Sequence, residues 1–175
     1  MKQEGLTLIE VIVVMVIIGI LVAVAGAEYA SWMASYRAES QIKTIYADVM
    51  RARHRAMQKN VTHFLHLEKA ASHSYAMYSD ADNNDKPDTG IDTKMTQLSK
   101  QDLQYGIAWN GGGDTLDIST DRRGLTAPNR SLWLLKSDGA PFCESEVDYD
   151  CIVISSTRIN LGKYDGTQSP PCQAK

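Results

Sequence analysis

The chain has 175 residues, the length of one ordinary domain or of one domain with an appendage, which excludes a multidomain machine. Hydrophobic residues make up 43% and charged residues 22%, values that exclude wholesale disorder and predict a packed core. The net charge of −3 argues against a general nucleic-acid binder, although six Lys/Arg between Tyr29 and Asn60 make the middle basic while residues 61–175 carry a net −5.

Residues 11–27 (VIVVMVIIGILVAVAGA) contain no charged or hydrogen-bonding side chain. Extended back to Leu6, the block Leu6–Ala27 would rise about 33 Å as a helix, enough to cross the hydrocarbon core of a bilayer. Three readings compete: a secretory signal peptide, a plain membrane anchor, and an anchor that is first trimmed. Lys2 supplies a minimal basic region and Ala25-Gly26-Ala27 a small-x-small cleavage site before Glu28, as a conventional signal peptidase would require. Against that stands Glu10, a carboxylate at the head of the apolar run, because an acid placed in a membrane segment is presumed functional.

Gly5-Leu6-Thr7-Leu8-Ile9-Glu10-Val11-Ile12, followed by Ile17-Ile18-Gly19-Ile20-Leu21, resembles the N-terminal signature of type IV pilins and pseudopilins. The resemblance implies that a prepilin peptidase cuts after Gly5, that Leu6 becomes an N-methylated first residue, and that Glu10 serves assembly. The α-amine freed by cleavage could meet the Glu10 carboxylate of a neighbouring subunit, since two opposite charges in low dielectric strongly prefer to be paired. Leu6 stands where the family usually has Phe, the leader carries one Lys, and no proline lies near residue 27, which leans toward a minor subunit or a pseudopilin.

After Glu28 the apolar residues change to helical spacing: Ile42, Ile45/Tyr46, Val49, Ala52/Arg53 and Ala56. No Pro or Gly interrupts residues 27–60, so the anchor is predicted to continue as one amphipathic helix, about 50 residues in all. Arg51, Arg55 and Lys59 are four apart and form a basic stripe, read first as a solvated face, then as an intersubunit charge pair, and last as a nucleic-acid contact. The segment Ala52–Asn60 is similar to the end of this helix in the GspH/FimT subfamily.

From Val61 onward short apolar runs alternate with turn signals, predicting strands at 62–67, 74–79, 93–98, 103–109, 115–119, 131–135, 151–155 and 158–161 in an antiparallel β domain. Asn110-Gly111-Gly112-Gly113-Asp114 is expected to be a hairpin turn between two of them, since no phosphate-binding Lys-Ser/Thr follows. Leu116-Asp117-Ile118 through Asp121–Leu125, then Leu132-Trp133-Leu134, and finally Ile152-Val153-Ile154 with Thr157-Arg158-Ile159, resemble the GspH/FimT β domain.

Asp80-Ala81-Asp82-Asn83-Asn84 opens an acidic loop that continues to Asp88 and Asp92. Oxygen side chains at Asp80, Asp82 and Asn84, with Asp88 and Asp92 beyond, are what a calcium ion with six to eight oxygen ligands could use. The spacing starts like an EF-hand loop and then departs: Asp85 replaces the turn glycine, and the closing acid falls at Asp92 rather than at Ile91. A solvated turn is the preferred reading and calcium the alternative.

Three cysteines, Cys143, Cys151 and Cys172, lie beyond the apolar segment. A Cys143–Cys151 disulfide would close a short acidic loop, whereas pairing with Cys172 would pin the Pro170-Pro171 tail; spaced zinc partners are missing. His63 and His66 do not form a His-Glu-x-x-His motif, and neither a nucleophile elbow nor a dinucleotide-binding glycine pattern is present, so no enzyme activity and no required cofactor is expected.

These readings together predict an α+β, pilin-like chain: leader 1–5, membrane half of the helix 6–27, amphipathic half 28–60, and an antiparallel β domain 61–175. By resemblance it would be a minor pseudopilin of a type II secretion pseudopilus. Its partners would be other pilin or pseudopilin subunits, the prepilin peptidase, an inner-membrane assembly platform and lipid. It would be a single-pass inner-membrane protein with a periplasmic C-terminal domain until drawn into the filament. A minor type IV pilin serving pilus assembly, adhesion or DNA uptake is the close alternative. A periplasmic binding module freed after Ala27 is the alternative of another class.

Overall fold

The computed structural model describes residues 7–68, 73–88, 90–143 and 147–175. One helix, α1 (Leu8–Lys59), runs for 52 residues, or about 78 Å. Thr7 caps its N-terminus, and Asn60 ends it in the left-handed conformation (φ 55°, ψ 39°) with its N–H donated to the Ala56 carbonyl. The Val/Ile-rich first half would be a poor helix former in water, where β-branched side chains lose rotamer freedom. In lipid the helix is enforced, because each backbone group must find its partner within the segment.

The rest of the chain forms strands β1 (His63–Leu67), β2 (Ala76–Ser79), β3 (Thr93–Lys94), β4 (Gly106–Trp109), β5 (Leu116–Thr120), β6 (Thr126–Ala127), β7 (Arg130–Leu135), β8 (Cys151–Ile154), β9 (Ile159–Tyr164) and β10 (Cys172–Ala174). They make two five-stranded sheets, ordered β3-β2-β1-β5-β6 and β10-β9-β8-β7-β4, and neighbouring strands are antiparallel throughout. In the first sheet Leu65 pairs with Met77 on one side and Ile118 on the other, a buried row. In the second, Leu132 and Leu134 of β7 and Ile152 and Ile154 of β8 are buried. Both sheets share one core with Ala38, Ile42, Ile45, Val49 and Ala52 of the helix.

The helix is also latched by polar contacts. The Gln41 carboxamide donates to the Tyr105 carbonyl (2.7 Å) and accepts its N–H (3.0 Å), imitating a strand partner for the residue before β4. The Tyr105 hydroxyl donates to the carbonyl of Ala34 (3.1 Å), near the upper limit of the packed region.

The expected helix and β domain are both present, with corrections of detail. The run 93–98 is a strand only at Thr93–Lys94, because a turn closes over Met95, whose carbonyl accepts the N–H groups of Leu98 and Ser99; Leu98 is nonetheless buried. Residues 103–105 precede β4 rather than forming part of it. The two short strands β6 and β10 were not signalled, having two and three residues and little apolar alternation.

The expected hairpin at Asn110–Asp114 is not one. β4 pairs with β7 and β5 with β1, so this glycine run carries the chain from one sheet to the other. Gly111, Gly112 and Gly113 all have positive φ (105°, 70° and 98°), which lets the chain leave the plane of one sheet before entering the next.

Candidate functional site

Gly5 and Leu6, the residues of the expected processing site, lie outside the described residues. Thr7 has extended backbone angles, and its hydroxyl accepts the Glu10 N–H at 3.4 Å. Glu10 therefore occupies the first turn of α1, where the positive end of the helix dipole favours a carboxylate. From Leu8 to Val24 the large apolar side chains face outward, with exposures from 45% at Val11 to 81% at Leu8. The segment is long and apolar enough to cross a membrane, and none of its apolar window is buried in the protein.

Just beyond it stands a feature that the sequence reading missed. Tyr29, Trp32 and Tyr36 are exposed and their rings form a ladder along one helix face, with centroids 6.2 Å apart for the first pair and 5.9 Å for the second. The signal was available: aromatics spaced three and four apart, directly after an apolar run, are what a membrane–water interface attracts.

In the lower half of α1 the basic stripe is tied mostly to the chain itself. Arg51 pairs with Asp48 (2.8 Å) and Arg55 reaches the Gln97 carboxamide oxygen (3.2 Å), while Arg53, beside the stripe, donates to the carbonyl of Thr157 (3.0 Å). Asp48 is fully buried and also accepts the Tyr75 hydroxyl at 2.7 Å. Burial first, and the hydrogen bond to Asp48 second, push the Tyr75 hydroxyl far above the usual phenol range.

The acidic loop is closely built. Asp80 donates its N–H to the carbonyl of Thr62, fastening the loop to the chain between α1 and β1. Asp80 Oδ2 accepts the Asp85 N–H (3.0 Å), and Asp92 accepts two backbone N–H groups, from Ala81 (3.1 Å) and Asp88 (2.8 Å). One carboxylate oxygen from each of Asp80, Asp82 and Asp92 lies within 4.8 Å of the others. Asn84 and Asp88, the other two expected ligands, stand beside this trio: the Asn84 amide donates to Asp82 (2.8 Å) and to Asp88 (3.1 Å).

The expected Cys143–Cys151 disulfide is corrected. Cys151 is bonded to Cys172, with a Cα–Cα distance of 6.2 Å, and Cys143 is a free, exposed thiol. Both bonded cysteines are buried in the second sheet, whereas Cys143 sits on the surface after β7, so closeness in sequence did not become closeness in space. β10 lies very close over β9 here, since a Cβ on Gly162 would sit 2.3 Å from the Gln173 carbonyl oxygen. Next to the disulfide, Asp150 is fully buried; one oxygen accepts the Tyr164 N–H (2.5 Å) and the other has no hydrogen-bond partner among the described residues. Burial raises its pKa above the ordinary carboxylate value, against smaller opposing effects that begin with that hydrogen bond.

The two histidines do not converge. His63 Nδ1 lies 2.8 Å from the carbonyl oxygen of Val61 and His66 Nδ1 lies 2.5 Å from Asp117 Oδ1, so each has its own structural partner.

Comparison with known proteins agrees at the N-terminus. Residues 1–26 match the family described as the prokaryotic N-terminal methylation motif. No curated protein matches the chain. Among solved structures it is similar to the minor pseudopilin EpsH of the type 2 secretion system of Vibrio cholerae, at 9% identity and a TM-score of 0.49, over 71% of this chain and 94% of that one. The chain carries a prokaryotic N-terminal methylation motif that leads into helix α1.

Proposed function

We propose that the protein is a minor pilin-type filament subunit, stored in the inner membrane and drawn by its helix into a periplasmic fibre. The observation that carries this reading is the split in α1: a methylation motif leads into an apolar half with no cover, continuous with a half buried in the β domain. An apolar surface of that length needs lipid before assembly and neighbouring helices afterwards. The tyrosine and tryptophan ladder at residues 29–36 falls where the helix would leave the bilayer. Prepilin peptidase would cut after Gly5 and Leu6 would be N-methylated. Glu10 would then pair with the new amine of a neighbouring subunit, setting register.

Within this class, the resemblance of residues 52–60 and of the β strands to the GspH/FimT type favours the pseudopilus of type II secretion, with other pseudopilins and the inner-membrane assembly platform as partners. A minor type IV pilin is the near alternative. Release after Ala27 is disfavoured by the helix itself, since Ala25-Gly26-Ala27 lies in its interior rather than in extended chain.

The test is the intact mass and N-terminal sequence of protein extracted from membranes of cells with their own processing peptidase. A chain beginning at N-methyl-Leu6 supports the reading, and a soluble chain beginning at Glu28 defeats it. Glu10→Ala should then insert normally and fail to enter filaments; unaltered incorporation would remove Glu10 from the mechanism.

A further inference from the structure

From the acidic loop the geometry points to a calcium site, held by Asp80, Asp82 and Asp92. Two ligand oxygens of one calcium ion stand at most about 5 Å apart, twice the bond length of 2.3–2.6 Å. The three carboxylates meet that limit, with one oxygen from each within 4.8 Å of the others. Acidic residues often gather on a surface without binding anything, so the cluster alone does not make a site. The second observation is burial without a counter-charge. Asp80 is 3% exposed and Asp92 7%, and among the described residues neither forms an ion pair with a basic side chain. One oxygen of Asp80 is buried with no hydrogen-bond donor among the described residues, in the carboxylate that lies with the other two. A buried, unpartnered carboxylate oxygen costs free energy that a hard cation would recover.

The structure also answers both departures of the loop from the EF-hand pattern. Asp85, where that pattern has a glycine, itself adopts the left-handed turn with φ 56°. Asp92, one residue late, still reaches the other two carboxylates. Oxygen-only donors of this number and charge suit calcium, with water completing the shell; magnesium, which demands a tighter octahedron and gives up its waters reluctantly, fits less well. Because Asp80 is bonded to Thr62, occupancy would stiffen the junction between the end of α1 and the first sheet. The site stands independently of the assembly reading.

The experiment is calorimetric titration of the full chain in detergent, stripped with chelator, with calcium chloride and in parallel with magnesium chloride. Thermal melts accompany both. The expected result is one saturable calcium site per chain, at least ten-fold weaker magnesium binding, and a rise in Tm of about 5–10 °C at a hundred-fold excess of calcium over Kd. Asp82→Asn, on an exposed side chain whose loss leaves the core intact, should weaken calcium at least ten-fold without changing the melt in chelator. Absence of binding at 10 mM calcium chloride, equal binding of magnesium, or full affinity in Asp82→Asn would each overturn the site.

Discussion

The two parts of α1 share one backbone conformation, yet stand in opposite relations to the rest of the chain. Between Leu8 and Val24 the large apolar side chains are exposed, while Ala38, Ile42, Ile45, Val49, Ala52 and Ala56 are buried against two sheets. The difference lies in the pattern of polar residues. In the upper half apolar side chains surround the helix, which suits a surrounding without water, whereas in the lower half they form one stripe. A single helix therefore joins a segment that depends on lipid or neighbours to one stabilised within the molecule.

Charge placed on each half breaks this comparison most sharply. Ile45→Asp buries an unpaired carboxylate in the shared core and should cost about 5 kcal/mol or more, abolishing the cooperative melt of the full chain in detergent. Ile18→Asp, on a half-exposed position, should leave that melt unchanged and impair membrane insertion instead. If both variants melted alike, the division of the helix would be wrong.

The next effect is the disulfide. Closing a 21-residue separation stabilises by about 3 kcal/mol on the loop-entropy account, so Cys172→Ser should lower Tm and Cys143→Ser should not. A free-thiol count of one per oxidised chain would check the pairing directly. Smaller again is Tyr75→Phe, which leaves the buried Asp48 without one of its donors; about 1–2 kcal/mol should be lost, read from denaturant unfolding.

The smallest prediction concerns pH. Asp150 has a raised folded pKa, so between the ordinary value of 3.8 and that raised value the folded chain holds a proton that the unfolded chain has lost. Its contribution is thus most favourable below pH 3.8 and is lost as pH rises through the folded pKa. Asp150→Asn should remove this slope and match or exceed the native stability at pH 7, as measured by melts across pH 3.5–7. A slope that survives the substitution would assign it to another group.

The core stripe of α1 was legible because a 3.6-residue period registers directly which positions share a face, and Ile42, Ile45, Val49, Ala52 and Ala56 are all buried. Most strands were legible for the same reason: Leu116, Ile118 and Thr120 face the core in strict alternation. What failed were relations between distant segments. The glycine run at 111–113 has the composition of a hairpin, and composition does not say whether the next strand pairs with the last. Three cysteines permit several pairings, and only the placement of β10 over β9 brings Cys172 to Cys151.

By itself the sequence determined the local features: a methylation motif, a helix without proline, a change from all-round to one-sided apolarity, and acids at alternating positions from residue 80. These depend on neighbours within a few residues, where backbone geometry sets which side chains meet. Tertiary structure decided the division into two sheets, the disulfide, and the convergence of Asp80 and Asp82 with Asp92. Each of these joins groups whose separation along the chain exceeds one turn or strand, and is set by how packed surfaces fit rather than by local preference.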